Sequence, residues 1–208
     1  LDYRHDVVYF GRVIHDGALP WRGKMYRLTM GAGGATAKFG TVTSPTQWGI
    51  ASGSARVPTE MLDTFVSGAE MGPVATAPSV TMDDAANVWV FAGSGRYYSG
   101  TDKTDVSTQY FVGLKDSVLN AGCNQSAGAL NCMDNDLVDV SNATVCVVGV
   151  GDCGQASGTN QVSGVTGATT FTGLIGLVQS KDGWVTKLVE PGSSGPPVIL
   201  PAAIGERV

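Results

Sequence analysis

Short apolar stretches alternate with turn residues along most of the chain. Runs rich in β-branched and aromatic residues predict strands, and the runs at 7–10 and 88–91 indicate buried ones. Glycine, proline and aspartate separate these runs at short intervals, which is typical of antiparallel all-β architecture. The predicted strands occupy residues 7–10, 24–29, 48–57, 74–82, 88–91, 108–114, 169–178 and 183–189.

Two stretches are the candidates for helix. Residues 59–66 are predicted to form two turns with Thr59 as the N-cap, and residues 116–122 a single turn. Neither stretch is long enough to change the predicted fold class, which is all-β.

The amino-acid composition of the chain changes at residues 117–168. This segment holds all four cysteines, many Gly, Ser and Asn residues and few aromatic ones. It is predicted to be an insertion between strands, preceded by the β-rich region 1–116 and followed by returning strands and a tail at 169–208.

The four cysteines are Cys123, Cys132, Cys146 and Cys153. None forms a Cys-x-x-Cys pair and no histidine is near them in sequence, so zinc or haem attachment has little support. Two disulfides are the expectation in an oxidising compartment. Of the three possible connectivities we favour the local loops Cys123–Cys132 and Cys146–Cys153, which would pin the insertion. Four reduced, buried cysteines are the alternative.

The composition argues against several classes of partner. The chain has 208 residues with 13 basic and 18 acidic side chains, a net charge of −5, and nucleic-acid binding requires a basic surface instead. Charged residues make up only 15%, and 29 glycines favour a turn-rich, extracellular β-protein. No run reaches the roughly 18 apolar residues of a membrane-spanning helix.

The most informative stretch runs from residue 87 to residue 116. A buried strand leads into a Gly-Ser-Gly turn, then to Arg96 and a loop bracketed by Asp102 and Asp105, before a second strand at 110–114. Carboxylates in such a loop are expected to accept backbone N–H bonds. Arg96 is expected to pair with Asp102 or Asp105, in a structural role rather than as a ligand-binding group.

This stretch resembles the C-terminal β-propeller of the PilY family, large secreted proteins that assemble and cap type IV pili. Three further segments resemble the same region in the same order: 6–11 with 21–28, 72–80, and 182–188 with 205–208. The resemblance implies a partial β-propeller-like arrangement of antiparallel blades at 1–116, the disulfide-pinned insertion at 117–168, and returning strands at 169–208. Since a family propeller has about seven blades, another chain or segment is expected to cover the open edges, unless this chain has a smaller, remodelled fold.

The resemblance also implies calcium as a cofactor. The nearest match to an EF-hand-like loop places Asp134, Asp136 and Asp139 at its first, third and sixth positions. The match departs from the pattern because Asp139 replaces the glycine at the sixth position and Val145 stands at the twelfth. A solvated acidic turn is therefore the alternative, and Asp102 with Asp105 is a second candidate cation site.

The function implied is that of a non-enzymatic, secreted bacterial protein of the type IV pilus system. It would act in pilus assembly, at the tip or in surface adhesion, with minor pilins and a host or abiotic surface as partners. The alternatives are a globular subunit that clads an extracellular filament and, less favoured, a propeller enzyme. The aromatic residues of the strands, such as Trp89 and Phe91, are expected in the blade core or in an exposed apolar patch.

Overall fold

Antiparallel β-sheets dominate the computed structural model, which describes residues 7–15, 17, 21–30, 44–52, 54–62, 71–85, 87–100, 102, 107–116, 137–146 and 160–188. The strands are β1 (Val7–Ile14), β2 (Arg22–Thr29), β3 (Ile50–Ser52), β4 (Ala55–Val57), β5 (Thr59–Leu62), β6 (Ser79–Met82), β7 (Val88–Gly93), β8 (Gln109–Asp116), β9 (Leu137–Asp139), β10 (Thr144–Cys146), β11 (Gln161–Ser163) and β12 (Gly183–Leu188). One α-helix, α1 (Phe171–Ser180), and a 3₁₀ turn (Pro45–Gln47) complete these ranges. The predicted β class is confirmed, and the strands of the described ranges form no closed barrel or propeller.

Two sheets form the body of the fold. The first sheet has three antiparallel strands in the order β1-β2-β5, and the central sheet has five in the order β6-β7-β8-β12-β9. Every pair in the central sheet is antiparallel except β12 with β9, which is parallel. Two short hairpins, β3–β4 and β10–β11, pair only within themselves.

The main hydrophobic core takes residues from both sheets. Along β2 every second residue is buried, so Met25 and Arg27 point inward while Lys24 and Tyr26 point outward. The core consists of Met25, Met61, Leu62, Met71, Val74, Val90, Ala92, Tyr110, Val112, Leu114 and Val185. Full burial of each large aliphatic side chain contributes about 1.5–3 kcal/mol, so this core is the main source of stability.

A buried polar network crosses this core. Arg27 on β2 and Asp116 on β8 are 2% and 1% exposed, and Nη1 of Arg27 lies 2.5 Å from Oδ1 of Asp116. The Tyr9 hydroxyl donates to Oδ2 of Asp116 at 2.5 Å. Burial raises the pKa of Tyr9 strongly, and the negative charge of Asp116 raises it further. The network therefore joins the first sheet to the central sheet through one carboxylate.

A second, smaller core lies on the outer face of the central sheet. Val138, Val162, Val165 and Ala168 form it, and Leu174, Leu177, Val178 and Trp184 pack against it. Helix α1 and the β10–β11 hairpin therefore cover the β9–β12 end of the central sheet. The described part of the chain holds no helix with the length and apolar character that a membrane crossing requires.

The predicted helix at 59–66 is wrong for its described part. Residues Thr59–Leu62 form strand β5, which pairs with β2 through Glu60 opposite Tyr26. Thr59, Met61 and Leu62 are buried, so packing against the first sheet outweighs the local helix preference. Asp116, which begins the other predicted helix, ends β8, and residues 117–122 lie outside the described ranges.

The predicted strand at 169–178 is also wrong, because residues Phe171–Ser180 form helix α1. Thr170 is the N-cap, and its Oγ1 accepts a hydrogen bond from the Gly173 N–H at 3.1 Å. Leu174, Leu177 and Val178 recur at a spacing of three and four residues, which places them together on the smaller core. Partial burial of this face, together with the Thr170 cap, favours helix in a stretch with two internal glycines.

Two further predicted strands are shorter than expected. The stretch 48–57 is the β3–β4 hairpin, and within 74–82 only Ser79–Met82 forms a strand, with Val74 in an isolated bridge to Gly95. Part of the segment predicted as an insertion is built into the fold, since β9 joins the central sheet beside β12.

Candidate functional site

Four aromatic side chains line the outer face of the central sheet. Val88, Val90 and Ala92 of β7 face the main core, so the alternating residues Trp89 and Phe91 face outward. Phe111 of β8 and Trp184 of β12 continue this surface. The ring centroids are 6.4 Å apart for Trp89–Phe91, 6.5 Å for Phe91–Phe111, 6.2 Å for Phe91–Trp184 and 5.6 Å for Phe111–Trp184.

A glycine at the centre of this surface makes room for the indole of Trp184. Gly113 of β8 pairs with Phe91 on one side and with Trp184 on the other. A Cβ atom at Gly113 would lie 2.6 Å from Cε2 of Trp184, closer than packed atoms approach. The indole therefore lies flat across β8 only because residue 113 has no side chain.

Helix α1 forms the second wall of a cleft on this face. Leu174 and Val178 pack toward the smaller core, while Phe171 and Ile175 stay exposed along the rim. The cleft, called the outer groove below, has a volume of about 560 Å³. Its lining is Thr81, Asp83, Trp89, Phe91, Val140, Ala143, Phe171, Leu174, Ile175, Val178, Gln179 and Trp184.

A lysine fastens the end of the helix to the sheet. Nζ of Lys115 on β8 donates to the carbonyl oxygen of Gln179 in the last turn of α1, at 2.5 Å. A cation near a helix C-terminus also interacts favourably with the helix dipole. The groove therefore has two walls held at a fixed spacing, a sheet and a helix.

Asp83 closes the groove at the turn between β6 and β7. Its carboxylate accepts bonds from Nε1 of Trp89 at 2.8 Å, from Nδ2 of Asn87 at 2.9 Å, and from the backbone N–H groups of Ala85 and Asn87 at 2.9 Å. The bond from Trp89 and then those from Asn87 lower the pKa of Asp83 to about 2. Its acceptor positions are occupied, so this carboxylate fixes the turn and the Trp89 indole.

Strand β6 borders the groove and is one of the two edge strands of the central sheet among the described residues, with β9 at the other edge. All four of its residues are exposed, with Val80 at 52% and Met82 at 64%. Large apolar side chains on an edge strand offer a surface to another polypeptide.

Arg96 and Asp102 lie together, as the sequence predicts. Nη2 of Arg96 lies 2.6 Å from Oδ1 of Asp102, so the two side chains form an ion pair. The contact does not have the angles of a hydrogen bond, and Oδ1 has no hydrogen-bond partner. Oδ2 of Asp102 accepts the N–H groups of Tyr98 at 2.8 Å and Ser99 at 3.0 Å. The Tyr98 bond is the largest of the effects that lower the pKa of Asp102. Asp105 lies outside the described residues.

A stack of flat groups extends this pair toward the β1–β2 loop. The guanidinium carbon of Arg96 lies 3.8 Å from the ring centroid of Trp21, and the Trp21 ring stacks on His15 at 4.1 Å. Arg96 is therefore a bracing residue between two loops. Tyr97 and Tyr98, which follow Arg96 directly, are exposed.

The predicted calcium site falls mostly outside the described residues, which include Asp139 but neither Asp134 nor Asp136. Asp139 is exposed, and its Oδ1 accepts the Ser141 N–H at 2.9 Å in a local turn. No three His, Cys, Asp or Glu side chains of the described ranges are grouped as metal ligands. The calcium site stays a prediction.

Among the cysteines only Cys146, in β10, lies in the described ranges. It is disulfide-bonded. Its partner is one of the other three cysteines, Cys123, Cys132 and Cys153, which all lie outside these ranges, so the pairing and the pinning of the insertion stay predictions.

The outer groove is suited to burying apolar surface of a ligand, because its lining is mostly apolar. Its walls are aromatic and aliphatic apart from Thr81, Asp83 and Gln179, and the Asp83 carboxylate is fully engaged. Volumes of this order accommodate several side chains of a protein partner or one small molecule. Fold and groove together define a β-rich protein with an apolar cleft on one face of its central sheet.

Comparison with known proteins adds no relative. No family model matches the chain, and no curated protein and no solved structure is significantly similar to it.

Proposed function

We propose that this chain is a non-enzymatic, secreted protein of the type IV pilus system, which acts in pilus assembly, at the pilus tip or in surface attachment. The observation that carries the proposal is the ordered set of four segments that resemble the C-terminal region of the PilY family. The strongest of them, residues 89–116, spans β7, the Arg96–Asp102 loop and β8.

Support comes from the position of this segment in the fold. Strands β7 and β8 are neighbours in the central sheet, with Phe91 opposite Gly113, and they contribute to both the main core and the outer groove. The loop between them is braced by Asp102, which engages Arg96 and two backbone N–H groups. The segment with the strongest resemblance therefore lies in the central sheet, between the main core and the outer groove.

The finer architecture belongs to the same proposal. We infer that the three-stranded and five-stranded sheets correspond to blades from the later part of a propeller, with further blades supplied by another segment or chain. The predicted calcium loop at 134–139 and the disulfide-pinned insertion are features of this arrangement.

The partners proposed are minor pilins, and a host or abiotic surface for attachment. The outer groove supports a protein partner because its walls are apolar and its rim residues Phe171 and Ile175 are exposed. Burying such residues contributes to affinity without requiring a catalytic group.

The test is deletion of the gene in the source bacterium, with complementation by an epitope-tagged wild-type copy. Surface pili are counted by electron microscopy and by immunoblotting of sheared filaments. Loss of pili that the tagged copy restores is the expected result. Normal piliation and normal surface attachment in the deletion strain would rule the proposal out.

Gold labelling of the tag separates the proposed role from that of a filament-cladding subunit. One label at the filament end is expected for a tip protein. Regular labels along the whole filament would instead assign the chain to the cladding role. A strain that carries the same tag on the major pilin is the positive control. Its filaments must be labelled along their full length.

A further inference from the structure

We propose that β6 accepts an extended segment of a partner protein as an additional strand. Apolar side chains of that segment enter the outer groove, and a basic side chain lies at the end of β6 near the exposed carboxylate of Asp84. The inference rests on the proposed function only in that both require a protein partner.

The backbone of β6 presents hydrogen-bonding groups to the side on which no described strand pairs with it. The N–H of Asp83 donates to the Asn87 carbonyl at 3.0 Å, which marks this pair as a hydrogen-bonded one. Hydrogen-bonded and non-hydrogen-bonded pairs alternate in an antiparallel ladder, so Thr81 bonds to Trp89 whereas Val80 and Met82 do not bond to β7. The N–H and C=O groups of Val80 and Met82 therefore point away from the sheet.

A strand added beside β6 would contact apolar surface on both of its faces. Val80 pairs with Val90 and Met82 with Val88, which places both on the core side, yet they are 52% and 64% exposed. The first sheet therefore does not cover them. On the opposite face Thr81 lines the outer groove, so an added strand would alternate between covering Val80 with Met82 and entering the groove.

Charge selects the end residues of the partner segment. Strand β6 leads into Asp83 and the exposed Asp84, and the groove lining contains no basic side chain among the described residues. The nearby Lys115 is engaged with the Gln179 carbonyl. A lysine or arginine of the partner is therefore complementary to this end of the groove.

An extended polypeptide is the occupant that uses all of these features together. A small apolar molecule would fill the groove and leave the outward backbone groups of Val80 and Met82 unused. A second copy of the chain would bring Ser79–Met82, which holds no basic residue, to the acidic end. Strand addition gives affinity through main-chain hydrogen bonds and specificity through alternate side chains.

The experiment selects peptides from a displayed library of random dodecapeptides on the purified wild-type chain. The strongest binder is synthesised with a fluorescent label, and its affinity is measured by polarisation. We expect alternating apolar residues with Lys or Arg near one end. Val80→Pro is expected to weaken binding by about tenfold or more, because it removes an outward N–H without touching the β6–β7 ladder.

Val80→Ala is the matched comparison, since it keeps the N–H group and loses only side-chain contacts with the added strand, so it is expected to weaken binding clearly less than Val80→Pro does. Strand addition is also measured without any substitution, from the hydrogen exchange of the Val80 and Met82 backbone amides, monitored by NMR in the wild-type chain. Both amides are expected to exchange at least about tenfold more slowly with bound peptide. Ile175→Lys on the groove rim should weaken the same peptide.

Three results would overturn the inference: no selected peptide, unchanged affinity for Val80→Pro, or unchanged exchange at Val80 and Met82. A wild-type dimer that Val80→Pro dissociates would assign β6 to a second copy instead. If strand addition fails while the deletion strain still lacks pili, the proposed function stands alone. If peptides bind as expected and piliation is normal, the binding mode stands and the pilus role does not.

Discussion

Single residues decide how closely the layers of this protein approach one another. Gly113 admits the Trp184 indole on the outer face, and Asp116 gathers Arg27 and Tyr9 on the inner face. Both residues lie on β8, three positions apart in sequence and on opposite faces of the same strand.

Replacing Gly113 with alanine is expected to destabilise the protein by about 1–3 kcal/mol, because a new Cβ would overlap the Trp184 ring. Urea unfolding and the tryptophan emission spectrum measure the effect. Gly100→Ala is the control, since nothing lies within 4 Å of a Cβ at that position. Equal unfolding midpoints for the two variants would contradict the close approach of Trp184 to β8.

Replacing Asp116 with asparagine is expected to destabilise the protein by about 3–5 kcal/mol. The substitution leaves the buried Arg27 charge without its carboxylate, and an unpaired buried charge carries a large desolvation cost. Thermal and urea unfolding measure the change.

Two milder variants calibrate this result. Tyr9→Phe removes one hydrogen bond to Asp116, and about 1 kcal/mol is expected. Glu60→Gln removes the partly exposed pair with Lys24, whose N–O distance is 2.9 Å, and less than about 1 kcal/mol is expected. A loss for Asp116→Asn no larger than that for Glu60→Gln would show that the buried network contributes little.

At the scale of elements, helix α1 depends on its cap more than on its sequence preference. Gly173 and Gly176 lie inside the helix, and glycine disfavours helix by about 1 kcal/mol relative to alanine. Thr170→Ala removes the side chain that accepts the Gly173 N–H, and a loss of about 1 kcal/mol is expected in thermal unfolding. Thr172→Ala, on the exposed side, should be neutral or stabilising, and a reversed order of the two variants would refute the capping role.

The β6–β7 turn is expected to confer an acid-sensitive component of stability. The pKa of Asp83 is about 2 in the folded chain, against an ordinary value of 3.8. A lowered folded-state pKa stabilises the folded chain above pH ~4, and that contribution disappears as the pH falls from about 4 to about 2. Urea midpoints measured across this interval should fall less steeply for Asp83→Asn than for the wild type.

The neighbouring exposed residue provides the control for this pH dependence. Asp84→Asn makes the same charge change one residue away from the turn carboxylate. Its midpoints should follow the wild-type slope. If both substitutions flatten the slope equally, general charge and not the Asp83 hydrogen bonds determines the acid sensitivity.

Strands whose own residues strongly favour extended backbone were predictable from sequence. The strands with which they pair were not. The strands at 7–10 and 88–91, and the predicted strand at 183–189 in its described part 183–188, are present because β-branched and aromatic runs favour extended backbone whatever they pair with. Arg96 was expected to pair with Asp102 or Asp105, and it pairs with Asp102. The two residues are only six positions apart, so their contact could be expected from the loop sequence alone. Helix α1 was missed because its apolar run also fits a buried strand.

The site itself required information that no local pattern contains. The outer groove brings β7 together with β12 and α1, whose residues are some 80 or more positions away in sequence. Trp89 and Phe91 were predicted in a core or in an exposed patch, and only the register with Gly113 places them on the outer face. The Tyr9–Asp116 contact, 107 residues apart, left no sequence signal at all.

At the scale of the whole molecule, two cores of different size lie on opposite faces of one sheet. The larger core joins the two sheets, whereas the smaller one holds α1 and the β10–β11 hairpin on the outside. The disulfide of Cys146 lies on the side of the smaller core, in β10.

Reduction is therefore expected to loosen the outer layer and leave the two-sheet body folded. Loss of a disulfide releases restraint on the segment that it closes, and the main core contains no cysteine among its described members. Hydrogen exchange with mass spectrometry should show faster exchange at 144–146 and 161–163 with reductant present. Residues 88–93 and 109–116 should keep their protection, and rapid exchange throughout the chain would contradict the separation of the two layers.

The carboxylate of Asp116 also sets the earliest point in synthesis at which the Arg27 charge is neutralised. Arg27 and its partner are 89 residues apart, so at about 5–20 residues per second a ribosome needs roughly 5–20 s to make the intervening chain. During that interval β2 exists without the charge that neutralises Arg27, and the first sheet has no partner for its inner face. The early half of the chain is thus expected to stay open to chaperones until β8 emerges.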